Sequence, residues 1–203
     1  MNNNEKQRCG WCFDNPLYAK YHDTEWGVPV YDDHKLFEFL ILEGAQAGLS
    51  WITVLKKREN YRRLYDNFDP TIVANYNHDK KLELMNDSGI IRNKLKIDGS
   101  ISNASAFLKV QKEFGSFDTY IWSFVDHVQI QNSFDTMEQI PAKTQLSETI
   151  SKDLKKRGFK FIGPTIIYAF MQAIGMVNDH VIGCFRYSLV KKSRDKICDI
   201  NDK

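Results

Sequence analysis

The stretch Glu43-Gly44-Ala45-Gln46-Ala47-Gly48-Leu49-Ser50-Trp51 constrains this chain most, because it sets a carboxylate where a core residue belongs. Leu36, Phe37, Leu40 and Ile41 recur at helical spacing behind Asp32 and Asp33, either of which can cap the helix. Glu43 comes two turns after Leu36 and so faces inward with Leu36, Leu40 and Ala47. Burying an unpaired carboxylate costs on the order of several kcal/mol, so Glu43 needs a partner. Two partners fit: the amino end of a neighbouring helix, or a ligand in a pocket. The residues that follow support the pocket. Gly44, Ala45, Ala47 and Gly48 leave room beside the backbone, Gly48 can end the helix in a left-handed conformation, and Ser50 can cap a next helix that begins with Trp51. Leu49 is left at the turn, where an apolar side chain either folds back on the core or stands ready to enter a base stack.

A chain of 203 residues, 42% hydrophobic and 13% aromatic, can bury a substantial core in one domain or two small lobes. With a net charge of +2, nucleic-acid binding has to come from a local basic face. No run approaches the ~18 apolar residues of a membrane span, and the amino terminus lacks the apolar core of a signal peptide, so the expectation is a cytoplasmic protein with no membrane partner. Four cysteines in such a chain favour thiols or metal ligands over disulfides.

Residues 9–31 read as an irregular aromatic segment, with Tyr18, Tyr21 and His22 at helical spacing after Pro16. Helices are expected over 33–47 and 50–66, a short one from Pro70 to about residue 75, and another around Leu82, Leu84 and Met85. A glycine turn, Asp87-Ser88-Gly89-Ile90-Ile91-Arg92-Asn93-Lys94, then leads into a long helix over 91–112. Such a turn followed by Arg92, Lys94 and Lys96 can clamp a phosphate, although most glycine turns merely connect helices. Ser116 caps a helix over 117–125, and residues 126–144 carry no assignable pattern. Leu146, Ile150 and Leu154 mark a helix ending in the basic run Lys155-Lys156-Arg157, which reads as a solvated last turn. An apolar helix over 165–174 is stopped by Gly175, and the tail beyond Arg186 is polar. No segment reads as a strand, so the class is all-α.

His180 and Cys184 have the spacing that lets two ligands on one helical face share an ion, and Cys9 with His22 can complete a Cys2His2 set joining the chain ends. Two buried thiols and two hydrogen-bonded imidazoles fit the spacing equally well. Cys12 adds a C-x-x-C pattern with Cys9, which would be a redox dithiol in a thioredoxin-like setting that this sequence lacks.

Cys9-Gly10-Trp11, Asp14-Asn15-Pro16-Leu17-Tyr18, Tyr21-His22-Asp23-Thr24-Glu25-Trp26-Gly27, the stretch from Glu43 to Trp51, Lys155-Lys156-Arg157-Gly158-Phe159-Lys160-Phe161 and Asn178-Asp179-His180 together resemble the bacterial type-I 3-methyladenine DNA glycosylases. The resemblance runs from about residue 8 to 186. It implies an all-helical, helix-hairpin-helix glycosylase fold with Ser88, Gly89, Ile90, Ile91 and Arg92 at the hairpin, and a structural zinc held by Cys9, His22, His180 and Cys184. The chain is expected to be one catalytic unit and a monomer: a lobe over 33–145, a zinc-stapled lobe over 8–32 plus 146–186, and a tail over 187–203. The implied activity is monofunctional release of 3-methyladenine from double-stranded DNA by base flipping. Glu43 would be catalytic and would receive the base with Trp11, Tyr18, Tyr21, Trp26 and Trp51. Leu49, Ser88, Gly89, Ile90, Arg92 and Lys94 would contact DNA. Cys12 departs from the family pattern and leaves the first thiolate ligand open between Cys9 and Cys12. The aspartate that related superfamily members use to support water attack has no clear replacement, and the surroundings of Glu113 and Asp118 mark neither. Two other readings stand beside this one: a zinc-stapled module that binds damaged DNA without cutting it, and a thiol oxidoreductase using Cys9 and Cys12.

Overall fold

A computed structural model describes residues 6–12 and 15–191. Asp14 of the first turn and the polar tail past residue 191 lie outside the described residues. Helix α1 (Pro16–Thr24) starts where the Asn15 side chain accepts from the Leu17 and Tyr18 amides, with proline at the first helical position. Helix α2 (Asp33–Gln46) is capped by Asp32, which accepts from Lys35 N. Asp33 serves another helix: its carboxylate accepts from the Phe117 and Asp118 amides at the start of α8 (Phe117–Trp122) and from Gln111.

The single helix expected over 50–66 is two, α3 (Trp51–Leu55) and α4 (Arg58–Leu64), separated at Lys56 and Lys57. A 3-10 turn with Asn67 in a left-handed conformation (φ 53°) then leads to α5 (Pro70–Val73), capped by Asp69. Helices α6 (His78–Asn86) and α7 (Lys94–Phe114) flank the glycine turn. Helix α7 begins later than expected because Asn93 caps it, accepting from Lys96 N. Helices α9 (Gln145–Lys156) and α10 (Pro164–Ala173) follow, and the chain is helical again over 185–191, the last of the described residues.

Among the described residues, one strand pair adds to the all-α expectation. Strand β1 (Ile130–Gln131) pairs in parallel with β2 (Val177–Asn178), which ties the unassigned 126–144 region to the segment before His180. No described helix is long and apolar enough to cross a membrane.

Helix α2 is the hub. Every residue from Leu36 to Ala45 is buried, and the helix packs on α3, α7, α8 and α10. Each fully buried large apolar side chain contributes about 1.5–3 kcal/mol, so the pattern that forms α2 also fixes it at the centre. Glu43 is inside for that reason. Gly175 closes the far side at φ +68°, where a Cβ would lie 2.3 Å from the Val28 carbonyl carbon.

Candidate active site

The aromatic amino-terminal segment folds over the carboxyl end of α2 to form a cavity of about 370 Å³. Its walls carry Trp11, from a 3-10 turn (Gly10–Cys12), Tyr18 and Tyr21 from α1, Trp26, Glu43, and Trp51 from the first turn of α3. All six residues expected to receive a base therefore share one cavity. Their rings brace one another: Trp11 lies 4.7 Å from Tyr18 and 5.2 Å from Trp26, and Tyr21 lies 5.4 Å from Trp51.

Glu43 is 3% exposed, and its Oε2 has no hydrogen-bond partner among the described residues. It caps no neighbouring helix. Burial alone pushes its carboxyl pKa up to about 8, which favours the neutral form at pH 7. The Trp51 Nε1 donor is also buried without a partner. Tyr18 and Tyr21 stay phenolic, raised first by burial and then by Glu43. An apolar, aromatic cavity with an unpaired carboxyl and an unpaired N–H is built for a flat ligand that brings its own polar edge.

The rest of the lining was not read from sequence. Gln46, Thr165, Tyr168, Ala169 and Gln172 contribute, and so does Met137 with Ile140, Pro141 and Ala142. Thr165, Tyr168 and Gln172 recur on one face of an otherwise apolar helix, a signal that was available. Buried Asp179 sets two of them, accepting from Tyr168 OH at 2.6 Å and Gln172 Nε2 at 2.8 Å, while Asn132 donates to its other oxygen at 2.6 Å.

Leu49 is 41% exposed at the turn after Gly48, which has φ +80°. At the second turn, Asp87 accepts from Gly89 N at 2.6 Å, Lys57 donates to Ser88 O, and Tyr61 OH receives Ile91 N. Ile90 is core, at 2% exposure, and Ser88, Arg92 and Lys94 are exposed. Lys94 is paired with Asp98 at 2.7 Å. Lys96 does not point at solvent as a clamp cation would. Its Nζ donates to Ala45 O and Ala47 O at the end of α2. Glu113 is paired with Arg157, and Asp118 has Oδ1 buried without a partner and a pKa raised by burial and then by Asp33. Neither lines the cavity.

Behind the aromatic wall, Cys9, His22, His180 and Cys184 meet, with all four ligand atoms within 4.8 Å of one another and every residue buried. Cys184 Sγ lies 3.4 Å from His22 Nε2 and 3.5 Å from His180 Nδ1, and Cys9 Sγ lies 3.6 Å from His180 Nδ1. His180 and Cys184 are not on a helical face as the spacing predicted. They bracket a turn closed by Cys184 N donating to Val181 O at 2.8 Å. Cys184 is held toward the thiolate by a hydrogen bond from Cys9, then by the two imidazoles, and burial keeps His180 toward the neutral form. Such a set can hold a metal ion. Cys12 is outside it: its Sγ faces Cys9 O at 3.2 Å, and burial pushes its thiol up to about 11. A thiol that hard to ionise disfavours redox chemistry at the C-x-x-C.

The cavity gives the helical fold a ligand-binding site, and the sequence gives the family: the chain belongs to the methyladenine glycosylase family, whose sequence model matches residues 11–187. It is similar to DNA-3-methyladenine glycosylase 1 of Escherichia coli (strain K12), 53% identical over 181 residues that cover 89% of this chain and 97% of that protein. The crystal structure of a 3-methyladenine DNA glycosylase I superimposes with a TM-score of 0.86 at 52% identity, covering 88% of this chain and 98% of the other. The 3-methyladenine DNA glycosylase I from Staphylococcus aureus, solved to show the structural basis of its 3-methyladenine recognition, gives 0.85 at 34% identity, covering 88% and 95%.

Proposed function

We propose that this chain is a monofunctional DNA glycosylase that hydrolyses the bond between 3-methyladenine and its sugar in alkylated double-stranded DNA. The observation that carries this reading is Glu43, buried and unpaired in a cavity walled by Trp11, Tyr18, Tyr21, Trp26 and Trp51. Methylation at the 3 position leaves adenine cationic in DNA. The bond to the sugar is weakened and the base departs neutral, so little acid catalysis is required. The protein has to extract the nucleotide from the stack and favour this base over normal adenine. The aromatic faces attract a cationic ring. Glu43, held toward the neutral form by burial, ionises more readily beside that positive charge and accepts from the proton-bearing edge of the base.

Leu49 would fill the gap that the extruded nucleotide leaves. The turn between α6 and α7 would act as the helix-hairpin-helix clamp, with Ser88, Gly89 and Ile90 presenting backbone to a phosphate and Arg92 and Lys94 adding charge.

The four-residue cluster fits a structural zinc. Two donors on one tetrahedral zinc, at bonds of about 2.0–2.3 Å, stand about 3.3–3.8 Å apart; three of the donor pairs here span 3.4–3.6 Å, and all four atoms lie within 4.8 Å of one another. Cys9, His22, His180 and Cys184 would hold the ion, which supplies a cross-link between the chain ends and no chemistry at the base. Asp23 Oδ1, 2.8 Å from His22 Nδ1, and Trp26 O, 3.1 Å from His180 Nε2, orient the two imidazoles for that task.

The test is to incubate the protein with methylated DNA and analyse the bases set free. Release of 3-methyladenine is expected. Tight binding to the same DNA with no base released would leave a damage-binding module instead.

A further inference from the structure

Lys96 occupies a position that the reading above does not use. It stands in the first turn of α7, directly after the turn proposed to grip DNA, and its ammonium crosses to another helix. There it donates to Ala45 O at 2.8 Å and Ala47 O at 2.7 Å. Carbonyls at a helix carboxyl end lack intrahelical partners and sit at the negative end of the helix dipole, so a cation there both satisfies and fixes them. The end of α2 that is held this way is no ordinary end. Glu43 and Gln46 on it line the cavity, Leu49 follows at the turn, and Trp51 lines the cavity from the next helix.

A second contact joins the same two helices. Phe161, at φ 54°, wedges between them where both carry glycine. A Cβ on Gly44 would lie 3.4 Å from Phe161 Cβ, and a Cβ on Gly99 only 2.8 Å from its ring. Asn103 of α7 locks the neighbouring residue, donating to Lys160 O at 3.0 Å and accepting from Lys160 N at 2.7 Å. The junction of α2 and α7 is thus closed by a packed ring and tied at its end by one ammonium.

We propose that Lys96 is a positioning residue that keeps the end of α2, with Glu43 and Leu49, in register with the turn at the start of α7. DNA held by that turn then presents its extruded nucleotide over the cavity. The proposal rests on the glycosylase reading and adds a residue that touches neither base nor phosphate. Its chemistry is coupling: backbone grip and base recognition are separate sites, and misplacement of about 1 Å between them costs rate more than affinity for either partner alone.

The experiment compares the full-length protein with Lys96→Met, which keeps the stem and removes the ammonium, and with Lys96→Gln, a shorter uncharged donor. Three quantities are measured below the melting temperature of each protein: affinity for free 3-methyladenine, the salt dependence of binding to undamaged duplex, and the single-turnover rate of 3-methyladenine release at saturating protein. Positioning predicts release slowed about 10- to 100-fold in Lys96→Met, with free-base affinity and salt slope unchanged, and a smaller loss in Lys96→Gln. A salt slope reduced by about one would instead make Lys96 a phosphate contact and overturn the proposal. So would an unchanged release rate, whether or not the variant melts earlier. If Lys96→Met does not fold, Lys96→Gln decides by the same criteria. Failure of the native protein to release 3-methyladenine would count against the glycosylase reading itself.

Discussion

Glu38 and Glu43 lie on the same face-to-core helix, α2, and both are buried, yet only Glu38 is paired. Glu38 accepts from Arg58 and from Arg62, and Arg58 reaches Glu25 at 2.7 Å with its other arm. Glu43 has no cation against it, and its Oε2 is unpartnered. The first carboxylate belongs to the scaffold. The second is left open toward the cavity.

That difference predicts opposite signs for stability and binding. Glu43 titrates near 4.5 in the unfolded chain and near 8 when buried. Below the unfolded value both states are protonated and nothing is lost. As pH rises between the two values the unfolded chain gives up the proton first, so stability falls by about 1.4 kcal/mol per pH unit until the folded carboxyl also ionises. Glu43→Gln removes that loss. The variant should be more stable than the native protein at pH 8, by several kcal/mol in order of magnitude, and so melt higher; it should draw level near pH 4, while binding free 3-methyladenine more weakly. A variant that melts early at pH 8 and binds the base normally would return Glu43 to a structural role.

The metal cluster gives a graded series. Cys184→Ser and His180→Ala should lower both the zinc content of the purified protein and its melting temperature, since each removes a ligand that joins the chain ends. Asp23→Asn keeps all four cluster residues but weakens the carboxylate's hold on His22 and its ion pair with Arg8, so its loss of metal affinity should be about 10- to 100-fold rather than complete. Native stability in metal-free protein would rule out the staple.

Arg92 and Lys94 should behave unequally in DNA binding. Arg92 is exposed, whereas Lys94 already pairs with Asp98. Arg92→Ala should reduce the slope of log affinity against log salt by about one, and Lys94→Ala by less, because releasing Lys94 from Asp98 offsets part of the gain from a phosphate. Titrations of undamaged duplex at several salt concentrations read both. An unchanged slope in Arg92→Ala would place the phosphate contacts elsewhere.

Gly175→Ala tests the crossing of two backbones. A methyl there meets the Val28 carbonyl carbon at 2.3 Å and also requires a left-handed residue, so the cost should be at least about 2 kcal/mol. Gly158 is also left-handed, at φ +96°, but nothing lies within 4 Å of its position, so Gly158→Ala should cost less than Gly175→Ala. Chemical denaturation of the two variants separates strain from collision.

The periodicity and caps of α2 made the inward carboxylate legible, and small residues after it made the turn and Leu49 legible. The break at Lys56 and Lys57 was not, because neither proline nor glycine marks it and both halves keep an apolar face. The four residues that meet in the buried cluster were picked out by residue type, but the helical face expected for His180 and Cys184 was wrong: spacing that suits a helix also suits the turn that closes at Val181. Lys96 was read as a free cation because sequence cannot show that the end of α2 lies within its reach. The walls from α10 and from Met137 to Ala142 were missed since an apolar helix reads as core and a polar loop reads as connection.

Trp11 stands 5.3 Å from His22 and Trp26 4.7 Å from His180, edge-on in both cases. These indoles therefore have the cavity on one side and imidazole, an efficient quencher of indole emission, on the other. The protein carries its own optical reporter, and that reporter has two inputs. A change in intensity on adding a base is interpretable only at fixed metal occupancy, and a metal titration only with the cavity in one state.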